Sequence, residues 1–251
     1  MKKNIITLII CFVCLHFSFG QCNTQMYDIY TPMGSFVNTW LTCEAATSVR
    51  EAYDDLYRGR YPDAEMIIVY DGLSSTRKFN CHGYAWLRVE QGIDRWIGYE
   101  NYEKGTYPDI YIADGSYIEV PSETFPGVVF WDREYDGDHS AITTENPGWF
   151  ISKWNQYPLF WHRWNNSPYG TATLKYYVRN CSALGNETVN VINRTINMYT
   201  PIQSCGNINV QNVIVQNIDT QHNARLILVA PGTVTINPNF KVELGSSLQI
   251  K

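Results

Sequence analysis

Residues 44–57 carry apolar side chains at Ala45, Ala46, Val49, Ala52, Tyr53, Leu56 and Tyr57. That spacing of three and four predicts a helix, with Gly59 as its stop. The run Met66-Ile67-Ile68-Val69-Tyr70 reads as a short buried strand. Asn80 is a good N-cap for a second helix over 81–91, which Gly92 ends. Strand-like runs follow at 109–112, 115–120, 128–131, 139–144 and 149–154, separated by turn residues as in an antiparallel sheet. Helices first and a sheet afterwards predict an α+β unit.

Beyond Cys181 the pattern changes. Ile208/Val210, Val213/Val215, Leu226/Leu228, Val234/Ile236, Val242/Leu244 and Leu248/Ile250 each place two apolar residues on one face, with Asn, Gly, Pro and Ser between them. This predicts very short strands stacked like the rungs of a small solenoid. Composition shifts at the same point. All eight tryptophans lie between Trp40 and Trp164, and after Cys181 the only aromatic residues are Tyr199 and Phe240. The expected organisation is a signal segment at 1–20, a catalytic-size unit at 21–180, a disulfide-closed linker at 181–205 and an all-β module at 206–251.

Lys2 and Lys3, the apolar run from Ile5 to Val13 and the small residues Ser18 and Gly20 have the layout of a cleavable export signal. That run is too short to span a bilayer, and no later segment is apolar enough. The expected protein is therefore exported, in the secreted, periplasmic or cell-surface compartment, with no integral membrane segment after cleavage. Of its seven cysteines, Cys11 and Cys14 leave with the signal. Cys22 with Cys43 and Cys181 with Cys205 is the economical pairing, although sequence alone does not fix connectivity. It leaves Cys81 as a free thiol. Losing Lys2 and Lys3 from 19 basic residues leaves 17 against 24 acidic ones, a formal charge of −7. With no basic stripe in the chain, a nucleic-acid partner is not expected.

A cysteine nucleophile needs a depressed pKa, a base within reach and donors for an oxyanion. Cys81, first residue of a capped helix, stands at the positive end of the helix dipole, and its own N–H is an available donor. Gly83 leaves room in the first turn for a substrate backbone. His139 opens a strand and is the candidate base. The next strand carries Lys153, Trp154, Asn155 and Gln156, any polar member of which could orient the imidazole; Asn155 is favoured, with Gln156 and His162 as rivals. Trp149, Trp154, Trp161 and Trp164 cluster after His139, so Trp154 and Trp161 are candidates to line a substrate cleft. No cofactor is called for, and no Cys or His pair has the spacing of a structural metal site.

Asn80-Cys81-His82-Gly83-Tyr84-Ala85, then Pro126-Gly127-Val128-Val129-Phe130, then Asp138-His139-Ser140-Ala141-Ile142 resemble the successive signatures of papain-like cell-wall hydrolases of the CHAP type. The resemblance covers about residues 76–156. It implies a papain-like fold, with a catalytic helix packed on an antiparallel sheet, and a Cys81–His139–polar triad with an aromatic substrate contact at Tyr84. It also implies an amide bond as the target, in a peptide or a peptidoglycan peptide. Val128 stands where that family usually carries an acidic residue, and 21–76 has no counterpart in the minimal fold. The segment 206–251 resembles a three-coathanger stack domain, chiefly through Ala230-Pro231-Gly232-Thr233-Val234-Thr235-Ile236 and Phe240-Lys241-Val242-Glu243-Leu244-Gly245. That resemblance implies an accessory module, of unsettled role, in secreted proteins; association with the cell surface through it is an expected partner contact.

The competing expectation is a secreted, non-catalytic glycan- or peptide-binding protein in which Cys81 is a small buried hydrophobe. Geometry separates the two. A catalytic pair places the Cys81 sulfur and a His139 ring nitrogen within about 4 Å, whereas a His139 that faces away favours binding.

Overall fold

The computed structural model describes residues 22–98, 108–132, 138–170, 173–218 and 222–251. The expected signal segment lies outside them. Strands β1 (Thr24–Tyr30), β2 (Phe36–Leu41) and β4 (Trp96–Ile97) form a small antiparallel sheet. A seven-stranded sheet contains β3 (Glu65–Ile67), β5 (Tyr117–Val120), β6 (Val128–Asp132), β7 (His139–Thr143), β8 (Trp149–Lys153), β9 (Leu159–Arg163) and β10 (Thr173–Arg179). Its order is β3-β9-β8-β7-β6-β10-β5, antiparallel throughout.

The tail strands are β11 (Thr188–Ile196), β12 (Tyr199–Gln203), β13 (Asn207–Val215), β14 (Arg225–Val229), β15 (Val234–Ile236), β16 (Lys241–Val242) and β17 (Ser247–Ile250). All pair in parallel, β11-β13-β15 with β16 on β13, and β12-β14-β17. Successive rungs bury Val191, Val210, Val213, Leu226 and Leu228 in one apolar column. The segment 181–205, expected as a linker, supplies two of these rungs. The stack is not a separate bead either: Met198, Tyr199 and Ile227 join the same core as Trp86, Phe130 and Ile151.

Helices are few: α1 (Thr47–Arg60), α2 over 81–91, α3 (Asp109–Ala113) and α4 (Cys181–Leu184). With 42% strand against 16% helix, spread over antiparallel and parallel sheets, the chain is mainly β. The expected α+β, papain-like, helix-on-sheet fold is therefore corrected. A second correction is local. Residues 109–112 were expected as a strand, but Pro108 at φ −61° starts a helical turn there, with Asp109 in its first turn.

Strand β6 shows why the large sheet sits where it does. Its first four residues are all buried, so both faces of the sheet must be covered. Val128 and Phe130 meet the core around α2, while Val129 and Trp131 pack with Ala141, Phe150 and Tyr169 on the other side. That second face continues through Phe160 and Trp154 to Tyr57 of α1. Two disulfides, Cys22–Cys43 and Cys181–Cys205, close the chain locally with Cα separations of 4.9 and 5.0 Å, and Cys81 is free. Each closed loop contributes roughly 3 kcal/mol by the chain-entropy argument. Two disulfides suit an oxidising compartment. Among the described residues no helix is long and apolar enough to cross a membrane.

Candidate active site

The approach to Cys81 is held by buried polar side chains. Asp54 of α1 accepts from the N–H groups of Ser74 and Ser75, each at 2.8 Å, and Arg50 donates to the carbonyls of Ser75 and Tyr70. Glu44 accepts from the Arg77 N–H at 2.8 Å and pairs with the Thr76 hydroxyl. Asn80 then caps α2: its Oδ1 accepts from Gly83 N–H at 2.8 Å and from Ile97 N–H at 3.2 Å, while its Nδ2 donates to the Ile97 carbonyl. The cap leaves the first two helical N–H groups, of Cys81 and His82, to point at the sulfur. Gly83 does not leave room for a substrate, because a Cβ there would overlap the carbonyl oxygen of Arg95. Midway, residues 84–88 form a π turn in which Val89 N–H reaches back to the Tyr84 carbonyl.

Cys81 is 7% exposed. Burial pushes its thiol up to about 11, while backbone groups of Ser140, His82 and Cys81 itself hydrogen-bond the sulfur and pull the other way, as does the charge of Lys153. Lys153 is completely buried. Burial lowers its amine to about 7, against the opposing fields of Asp54, Glu44 and the Cys81 thiol. Its Nζ donates to the carbonyls of Asn155 and Tyr157. A neutral amine with both N–H bonds engaged in this way keeps a lone pair able to accept a proton.

His139 lies on the other face of the sheet. Trp131 pairs directly with His139, and Phe130 with Ser140, so each pair shares a side. Ser140 faces α2: its hydroxyl accepts from Trp86 Nε1 at 2.9 Å and shares a hydrogen bond with His82 Nδ1 at 2.8 Å. His139 instead stacks on Tyr169, with ring centroids 3.7 Å apart, and meets Trp131 edge-on. Period-two alternation alone separates the expected base from Cys81. His82 is on the thiol's side, but burial lowers it to about 3, so its ring is neutral.

The remaining candidates also disperse. Asn155 forms the exposed β8–β9 turn at φ +57°, where its Oδ1 accepts from the adjacent Gln156 N–H. Gln156 reaches Tyr53 instead. His162 is buried: its Nε2 accepts from Ser152 at 2.7 Å, Nδ1–H donates to the Arg163 carbonyl, and burial lowers it to about 4. Trp154 donates to that same Ser152 and is enclosed by Tyr57, Tyr61 and Phe160, so it lines no cleft. Trp161 packs on Tyr199 and the main core. Tyr84 is wholly buried against Phe79 and borders a cavity whose wall does not include Cys81.

Lys153 entered the sequence reasoning only as one of several residues that could orient the imidazole, not as a base. Its signal was a lysine inside the strand Trp149-Phe150-Ile151-Ser152-Lys153, where every neighbour but the first is buried. A cation in such a run has to be paired, neutral or functional. Set against known families, characterised proteins and solved structures, the chain matches none, and its chemistry is read from these side chains.

Proposed function

We propose that the protein is an exported thiol hydrolase that cleaves an amide bond, with Cys81 as nucleophile and Lys153, rather than His139, as its base. The carrying observation is a free thiol at the capped start of α2 with the buried Lys153 amine nearby, its Nζ 5.8 Å from the ring centroid of Phe79. In this reading the neutral Lys153 amine takes the Cys81 proton, and the thiolate adds to the amide carbonyl. The N–H groups of Cys81, His82 and Ser140 stabilise the oxyanion. Lys153 then returns the proton to the departing amine as the C–N bond breaks, leaving a thioester. Water, deprotonated by Lys153, opens the thioester to the acid and restores the thiol. Extracellular and cell-wall peptides are the substrate class that the signatures around Cys81 and His139 imply.

Burial of Cys81 and the placement of His139 on the opposite face of the sheet favour the second reading, an exported non-catalytic binding protein. One experiment separates the two. The non-reduced protein is treated with iodoacetamide at pH 7.5, the labelled residue is mapped, and hydrolysis of cell-wall peptides is measured for Cys81→Ala, Lys153→Met and His139→Ala. The Lys153 mechanism requires labelling at Cys81, loss of activity in the first two variants and retention in the third. Loss in His139→Ala with retention in Lys153→Met returns the base to His139. Absence of both labelling and hydrolysis leaves the binding reading.

A further inference from the structure

Where the C-terminal half of α2 meets β11 and the start of β12, a cavity of about 270 Å³ is lined by Tyr70, Tyr84, Arg88, Asp94, Arg194 and Met198, among others. Its charges do not balance. Arg88 uses Nη1 for Asp94 and for the Tyr70 hydroxyl, and its other N–H groups make no hydrogen bond to a described residue. Arg194 donates to three backbone carbonyls, those of Glu90 at 2.8 Å and of Arg88 and Val89 at 3.3 Å, and pairs with no carboxylate among the described residues. Glu90 is not available to it, because its carboxylate is held by Arg179 and by the Tyr117 hydroxyl. Two guanidinium groups therefore border the cavity against the single carboxylate of Asp94. Each is pulled below the usual arginine range, first by burial and, for Arg194, by the neighbouring Arg88 as well.

The second observation is independent of charge. Tyr84 is completely buried, forms part of the same wall, and its hydroxyl has no hydrogen-bond partner among the described residues. A buried hydroxyl left unsatisfied carries a desolvation cost that a ligand oxygen would remove. We infer that this cavity binds the carboxylate of a small ligand, of the size of an amino acid or dipeptide, between Arg88, Arg194 and the Tyr84 hydroxyl. The volume sits just below the usual range for small-molecule pockets. A planar carboxylate suits a guanidinium pair with an added O–H donor. This assignment does not rest on the thiol chemistry.

The test uses the full disulfide-bonded chain and calorimetric titration with N-acetyl-glycyl-glycine and with its C-terminal amide. The free acid should bind at least about tenfold more tightly than the amide, with affinity falling as salt rises. Tyr84→Phe keeps the ring and should weaken the acid about fivefold or more while leaving the amide unchanged. Arg194→Met should weaken the acid further; because Arg194 also caps α2, its reading counts only alongside an unchanged circular dichroism spectrum. Equal affinity for acid and amide, or an unaltered acid affinity in Tyr84→Phe, overturns the assignment.

Discussion

Lowering the pH from 7 to 5 should remove about 4 kcal/mol of folding stability through two histidines alone. His82 and His162 are buried, and burial depresses them from 6.5 to about 3 and about 4. A depressed base favours the folded state only while both states are neutral, so the contribution is complete above 6.5. It is lost as pH falls, because the unfolded chain takes up protons that the folded chain refuses. At pH 5 each imidazole is almost fully protonated when unfolded and almost wholly neutral when folded. With a shift of one unit equal to about 1.4 kcal/mol, each contributes a loss of about 2 kcal/mol by that point. The slope at pH 5 approaches two protons. Domains of this kind have only about 5–15 kcal/mol in total, so the effect is large. Urea unfolding of the non-reduced protein at pH 7, 6 and 5 measures it, and His82→Gln should show about half the fall. A change below about 1 kcal/mol would refute the inference that both rings are held neutral.

Three further outcomes follow from the same contacts. Ser140→Ala should cost about 2–4 kcal/mol, because Trp86 Nε1 and His82 Nδ1 both lose their bond to its hydroxyl; chemical denaturation checks it, and a cost under about 0.5 kcal/mol contradicts a structural role for these two bonds. Arg179→Met should cost about 3–5 kcal/mol by stranding Glu90 and Glu187, and adding Glu90→Gln and Glu187→Gln should recover much of the loss in the same assay. Gly83→Ala should lower the midpoint of thermal unfolding by several degrees, roughly 2–4 °C per kcal/mol in a chain of this size, because its Cβ meets the Arg95 carbonyl.

Local signals were legible in the sequence and face assignments were not. Asn80 and Gly92 bound α2 because capping chemistry is decided within a few residues. Counting pointed to one free thiol, and the choice of the shortest loops, not connectivity read from sequence, matched the disulfide pairs. Apolar alternation after Cys181 anticipated stacked strands, but not their length: β11 and β13 run for nine residues each, β13 takes in both Ile208/Val210 and Val213/Val215, and parallel pairing starts at Thr188, ahead of the expected boundary. His139 failed for a reason that no pattern over 139–143 can cure. All five residues of β7 are buried, so polarity does not tell one side from the other, and the choice was made by Trp86 and His82 reaching Ser140. Asp109-Ile110-Tyr111-Ile112 has strand-like composition, and the backbone angle fixed by Pro108 overrode it. The hairpin of β1 and β2 gave no clear period, since its residues alternate only weakly in burial.

Arg194 sets an order of events for a chain that emerges from its N-terminus. Its guanidinium caps the last carbonyls of the helix that begins at Cys81, yet it lies 104 residues beyond Glu90. The thiol end of α2 can form as soon as Asn80 and Ile97 meet, whereas the far end waits for the rung stack. Until Cys181 emerges, Cys81 has only Cys22 and Cys43 of the mature chain to mispair with. Those two are 21 residues apart and bonded to each other, so a local ring closure takes up both of the cysteines that precede the free thiol.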